Sequence, residues 1–224
     1  DEAPTYLRDA IDKAFTISAK NFERLPGITV LVADESGSMD GALSSRGTVS
    51  YKDIANTLLG LSGLICDAAI PIVFASVAAI VEPDDLAAHN LKVIDDLASI
   101  RVGGATNLHL VFELLKQRAV KANRVIIFSD MQAWSTTGYE HSGVATVAEQ
   151  WRQQYAPSAW IHSVDLAGYG TSQFGGNKIG LLAGWSENIL TIIQRAEQGA
   201  GALVADIEEY EMPSAHIEEQ EDVE

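Results

Sequence analysis

Val30-Leu31-Val32-Ala33-Asp34-Glu35-Ser36-Gly37-Ser38-Met39-Asp40 is the stretch on which the reading of this chain turns. An apolar run rich in β-branched residues ends abruptly in an aspartate, and two serines follow at a spacing of two across a glycine that permits a tight turn. The run predicts a buried strand, and the turn aims Asp34, Ser36 and Ser38 at one point. Oxygen donors in that number, with no thiol and no histidine among them, suit a hard cation such as Mg2+. Capping a helix and lining a turn are the commoner duties of Asp and Ser. The tripled spacing directly after a strand favours the metal. Glu35, between the donors, is expected to point away from the ion as a solvated side chain.

Working outward, Pro26-Gly27 turns the chain into that strand, read as Ile28 to Ala33. Before it, Leu7, Ile11 and Phe15 recur at intervals of four and mark an apolar stripe on a helix between Tyr6 and Phe22. After it, a polar stretch leads to a helix from Lys52 to Ala69, a strand from Pro71 to Ser76 and a second, antiparallel one from Val77 to Val81. Asp84 to Ser99 reads as loop and helix. Gly103-Gly104-Ala105-Thr106 makes a glycine-rich turn with Thr106 at the cap of a helix from Leu108 to Val120. Arg124 to Ser129 is a second apolar strand that ends in an aspartate, Asp130. Ligands collect outside the carboxyl ends of strands in open α/β sheets, so Asp34 and Asp130 are expected on one rim. A helix from Val144 to Tyr155, a strand from Ala159 to Leu166, a flexible glycine-rich loop from Gly168 to Gly176, a strand from Ile179 to Ala183 and a helix from Glu187 to Gln198 continue the alternation. Leu203 to Ile207 reads as a last edge strand. The pattern predicts an α/β fold: a three-layer, doubly wound, mostly parallel sheet with one antiparallel edge strand.

Length and charge narrow the function. At 224 residues the chain suits one large domain. It divides into a linker helix over 1–24, the domain over 25–207 and an acidic, disordered tail over 208–224. A net charge of −16 argues against a surface that tracks nucleic-acid phosphates. The single cysteine, Cys66, makes no internal disulfide and favours a reducing compartment, the cytoplasm. Neither a signal peptide nor an initiator methionine opens the chain, as expected of a domain cut from a longer protein or of a processed one. The weakly charged stretch from Ile54 to Pro83 is broken by Asp67 and Pro71, so it divides into buried elements rather than a membrane span.

Asp34-x-Ser36-x-Ser38, Thr106 after paired glycines and Asp130 after an apolar strand resemble, in order, the metal-ion-dependent adhesion site of the von Willebrand factor type A family. The resemblance implies that Ser36, Ser38 and Thr106 offer hydroxyl oxygens to Mg2+ (or Mn2+ or Ca2+), while Asp34 and Asp130 hold it directly or through water. It also implies one open coordination position, filled by a Glu or Asp carboxylate from a protein partner, so the site recognises rather than catalyses. Leu25-Pro26-Gly27, Ser129-Asp130-Met131-Gln132, Asp165-Leu166-Ala167-Gly168-Tyr169 and Gly184-Trp185-Ser186-Glu187 are similar to the C-terminal type A domain of bacterial Ro (TROVE) ribonucleoproteins. In that family a ring of helical repeats binds small noncoding RNA. By this resemblance RNA is met only through other parts of a parent protein, and the N-terminal helix joins the domain to the ring. The same type A domain also serves as a co-subunit of ATPase or chelatase complexes and as an extracellular adhesin, readings that upstream sequence would separate.

Other chemistries find little support. No Gly-x-Ser-x-Gly elbow surrounds Ser36, and His89, His109, His141, His162 and His216 form no zinc-binding pair. The loop from Gly168 to Gly176 lacks the Lys-Ser/Thr ending of a phosphate loop. Asp34 lacks the second acid, two residues on, of an aspartyl phosphatase. The expectation is therefore a protein that is not an enzyme. Trp134, four residues after Asp130, is either a partner-contact anchor or packs beneath its loop. Trp151, Trp160 and Trp185 are expected in the core.

Overall fold

The structure is a computed structural model, and it describes residues 4–44, 46–81, 94, 97, 100–132, 142–186 and 188–209. Trp134, His89, His141, His216, most of the predicted loop and helix from Asp84 to Ser99, and the proposed tail beyond residue 209 lie outside the described residues.

Helix α1 spans Thr5–Ala19 and strand β1 Leu25–Asp34. A 3-10 turn follows at Gly37–Asp40, then α2 at Tyr51–Ile65, β2 at Cys66–Phe74 and β3 at Ala78–Ile80. Next come α3 (His109–Gln117), β4 (Arg124–Ser129), α4 (Ser142–Tyr155) and β5 (Trp160–Asp165). β6 (Ile179–Ala183), α5 (Asn188–Gln198) and α6 (Ala200–Glu208) end the order. The six strands form one sheet in the order β3-β2-β1-β4-β5-β6. Every pairing is parallel except that of β2 with β3. This is the mostly parallel, doubly wound architecture expected, and its strand order reverses between β1 and β4.

Both faces of the sheet are covered because its central strands are apolar on both sides. Leu31 and Ala33 of β1 join Leu58 and Leu59 of α2 and Leu190 and Ile193 of α5 on one face. Val30 and Val32, one residue out of phase, join Val111, Phe112 and Leu115 of α3 and Trp151 of α4 on the other.

Several boundaries differ from expectation. α2 opens with a capping box, in which Ser50 accepts from Asp53 N and Asp53 accepts from Ser50 N, but it stops at Ile65 rather than Ala69. Residues 66–70 are drawn into the sheet by register with β1, Leu25 opposite Cys66 and Ile28 opposite Ala68, and Pro71 disfavours helix just before it. Thr106 caps no helix, because α3 begins three residues later, at His109, with Leu108 as its N-cap. Leu203 to Ile207 is helix rather than edge strand. Gly199, at φ 111°, ends α5, and the alanine-rich run after it restarts as α6 without a segment long enough to return to the sheet. Among the described residues the α1 stripe meets the core at its C-terminal end, where Ala19 is buried and Phe22 packs on the core, while Leu7 and Ile11 are exposed. Among the described residues no helix is long and apolar enough to cross a membrane.

Candidate metal centre

Asp34 closes β1 and Asp130 follows β4, so the two aspartates leave neighbouring strands at the point where the strand order reverses. Both side chains are buried. One Asp34 oxygen, Oδ1, accepts from Ser36 N at 2.8 Å, and the other, Oδ2, accepts from Ser129 Oγ at 2.6 Å. The first bond curls the chain so that Ser36 Oγ and Ser38 Oγ lie 3.1 Å apart. Asp130 Oδ1 accepts from Gln132 N at 3.1 Å.

The loop that carries Thr106 lies against the turn after Asp34. Gly37 N donates to Gly104 O at 3.1 Å, which lays the two turns against each other. The turn between β2 and β3 holds the second loop: Ala105 N donates to Ser76 Oγ at 3.1 Å and Asn107 N to Ala75 O at 2.9 Å. Gly103 sits there at φ 89°, and a side chain on it would run into Ser76. Thr106 itself is buried.

Among the described residues neither Asp34 nor Asp130 forms an ion pair with a lysine or arginine. Burial pushes the Asp34 carboxyl up to about 6, against the hydrogen bonds from Ser129 and Ser36, and the nearby Asp130 adds to the rise. Two carboxylates buried without a countercharge among the described residues suit a cation, and so does the hydroxyl spacing. Oxygens at right angles about Mg2+ stand about 2.9 Å apart and about Ca2+ roughly 3.4 Å apart, which bracket the Ser36–Ser38 separation. Among the described residues no three His, Cys, Asp or Glu side chains gather as a metal-binding group. The candidate donors are instead two carboxylates and three hydroxyls.

Three site-level expectations need correction. Glu35 is not a solvated side chain; it is only 5% exposed. It faces Lys52, whose Nζ lies 3.7 Å from Glu35 Oε2 and 2.6 Å from Asp40 Oδ1. Burial pushes its carboxyl up to about 7, against the pull of Asn56 and Lys52. Trp185 is 50% exposed rather than core, because Gly184, at φ 92°, turns the chain outward as it leaves β6. Trp151 is buried as expected and donates from Nε1 to Val120 O, while Trp160 is half-buried and stacks on His162.

The loop from Gly168 to Gly176 is pinned at several points rather than free. Asp165 accepts from Ala167, Gly168 and Gly170 N, and Phe174 packs edge-on against Phe112. Thr171 and Gln173 donate to Met131 O, each at 2.9 Å. Ser129, Ser76 and Gln173 were not candidates from sequence, since a polar residue ending an apolar strand or sitting in a glycine-rich loop carries no sign of its distant partner.

No protein-family model matches the chain, and no curated protein matches it in sequence. Among solved structures it is similar to the Ro (RSR) protein of Deinococcus radiodurans, with a TM-score of 0.63 and 19% sequence identity. The similarity covers 84% of this chain and 38% of that protein, so the chain spans well under half of its neighbour's length. At this identity the likeness is one of fold.

Proposed function

We propose that this chain is a divalent-cation-dependent protein-recognition domain of von Willebrand type A kind, the type A part of a Ro (TROVE) type noncoding-RNA-binding protein, and that it is not an enzyme. The observation that carries the reading is the meeting of Asp34, Ser36, Ser38, Thr106 and Asp130 loops at the reversal of strand order, with two buried carboxylates unpaired by any described cationic side chain. The fold shared with the Ro (RSR) protein accords with the Ro reading, while an ATPase or chelatase co-subunit and an adhesin, which carry the same type A fold, are the alternatives. Free, buried Cys66 accords with a cytoplasmic setting.

In this reading the hydroxyls of Ser36, Ser38 and Thr106 and the carboxylates of Asp34 and Asp130 would hold Mg2+, with Mn2+ or Ca2+ as substitutes. When bound, the ion supplies a concentrated positive charge that a partner's Glu or Asp carboxylate fills. Three neutral hydroxyls leave more of that charge uncancelled than a carboxylate cage does. RNA contact falls to other parts of a longer parent. Thr106→Ala, or EDTA, is then expected to weaken partner binding without unfolding the domain.

Titration calorimetry with Mg2+ and with Mn2+ tests the core of the proposal. One site per chain is expected in the wild type and none in the Asp34→Ala, Asp130→Ala double variant. Equal binding by the two proteins would place the cation elsewhere and sink the reading.

A further inference from the structure

We infer that Gln173, assisted by Thr171, is a positioning residue for the cation site, acting through the backbone of Met131. The inference rests on the cation reading above and concerns which residues outside the five ligands set the affinity.

Met131 directly follows Asp130 and has φ 57°, a left-handed conformation that non-glycine residues adopt only when their surroundings hold them there. Its surroundings do so on both sides of the residue. Met131 N donates to Ser129 Oγ at 3.0 Å, and Met131 O accepts two hydrogen bonds, from Thr171 Oγ1 and Gln173 Nε2, each at 2.9 Å. The Met131 side chain is buried, which closes off the alternative of relaxing toward solvent.

The left-handed turn has a consequence for the aspartate before it. It swings Gln132 N back onto Asp130 Oδ1 at 3.1 Å, which fixes the carboxylate. Ser129 completes the connection, because the same Oγ that accepts from Met131 N donates to Asp34 Oδ2. Asp34 is therefore joined to Met131 by hydrogen bonds through Ser129, Asp130 is tied by Gln132 N to the turn that Met131 makes, and Met131 is joined to a loop that contributes no ligand. Gln173 is only 7% exposed and spends its amide N–H on this carbonyl. Loop residues 165–174 are themselves fixed, by Asp165 at one end and by the Phe174–Phe112 contact at the other, so the clamp closes against a rigid support.

Preorganised ligands bind more tightly because less ordering remains to be done on binding. Removing the clamp frees the turn after Asp130 to relax to φ below zero, which carries Gln132 N away and releases the carboxylate. The loss appears in cation affinity more than in fold stability, since the sheet beneath is held by its own apolar faces.

The test uses Gln173→Met, which keeps volume and removes the donor, Thr171→Val, which removes the hydroxyl at constant shape, and Thr171→Ser, which restores it. Mn2+ affinity is measured by calorimetry, and thermal unfolding of each protein is measured in EDTA. The expected result is a roughly tenfold or greater loss of Mn2+ affinity in the Gln173→Met, Thr171→Val double variant. Thr171→Ser is expected to stay within about twofold of the wild type. The EDTA melting temperatures should stay close together, so that the affinity loss is not a folding loss. A double variant that binds Mn2+ like the wild type overturns the positioning role alone, and so does one whose affinity falls only in proportion to a lowered melting temperature. A wild type without Mn2+ affinity overturns the cation reading and this inference with it.

Discussion

Ser129 Oγ donates to Asp34 Oδ2 at 2.6 Å across the boundary between β4 and β1, a bond between residues 95 positions apart. The same oxygen accepts from Met131 N. A buried carboxylate thus depends on a hydroxyl that is itself oriented from behind. Hydrogen bonds to charged groups contribute roughly 1.5–3 kcal/mol, and a buried acceptor left without its donor costs a similar amount. Ser129→Ala is expected to lower stability by about 2 kcal/mol and to weaken cation binding as well. Urea unfolding with and without Mg2+ measures both effects, and a variant unchanged in each would show that the short distance carries little energy.

Asp34→Asn separates the fold from the site. The folded carboxyl stands at about 6 against an ordinary 3.8, so the unfolded chain ionises first as pH rises. Without cation the carboxylate is therefore neutral in its effect below about pH 4, becomes destabilising between 4 and 6, and stays so above. The full cost is about 3 kcal/mol. In EDTA at pH 8 Asp34→Asn is expected to be more stable than the wild type, with the difference vanishing near pH 4. In saturating Mg2+ the order reverses, because only the wild type gains from binding. Urea midpoints at the two pH values decide the matter, and a destabilised variant in EDTA at pH 8 contradicts it.

Affinity for RNA should be weak in this chain alone. Nucleic-acid binding releases counterions from phosphates that lysine and arginine neutralise, and here 31 acidic residues outnumber 15 basic ones. Filter binding at low salt with a small structured RNA is expected to show no sub-micromolar complex. Tight binding there would move the RNA contact onto this domain.

The sequence was most legible where chemistry interrupts periodicity. An apolar strand that stops on an acid is a local pattern, and it places Asp34 and Asp130 on one rim. Thr106 could be added from its paired glycines, although its supposed helix cap was not there. What stayed hidden depends on partners far along the chain. Ser129 matters through Asp34, Gln173 through Met131, 42 residues away, and neither partner leaves a mark beside them. Short apolar runs were ambiguous for another reason. Leu203 to Ile207 fits strand and helix alike, and Gly199 decided between them by ending α5 without a return to the sheet. Burial beside the site also could not be read, since Glu35 and Trp185 exchange their expected places through local turns.

The opposite end of the sheet offers a test of fold energetics that leaves the site alone. Glu197 of α5 accepts from Arg124 Nε and Nη2, each at 2.8 Å, and pairs with His162 Nε2 at 3.0 Å. Burial alone would raise its carboxyl, but the hydrogen bonds from His162 and Arg124 outweigh that and hold it below the ordinary 4.5. A depressed acid contributes stability above its unfolded pKa and loses it as pH falls through the folded one. Glu197→Gln is therefore expected to cost about 3 kcal/mol at pH 7, since it leaves buried Arg124 short of its partner, and the gap should narrow below pH 4.5. His162 is set for this contact by a glycine: Gly180 lies opposite it in the β5–β6 register, and a side chain there would strike the imidazole Nδ1. Gly180→Ala should then displace the ring from Glu197 and cost roughly 1–3 kcal/mol. Because both substitutions break one network, the double variant is expected to lose less than the sum, by at least about 0.5 kcal/mol. Urea unfolding of the four proteins closes the cycle. Strict additivity would mean that Gly180 acts on the strand edge itself and not through His162.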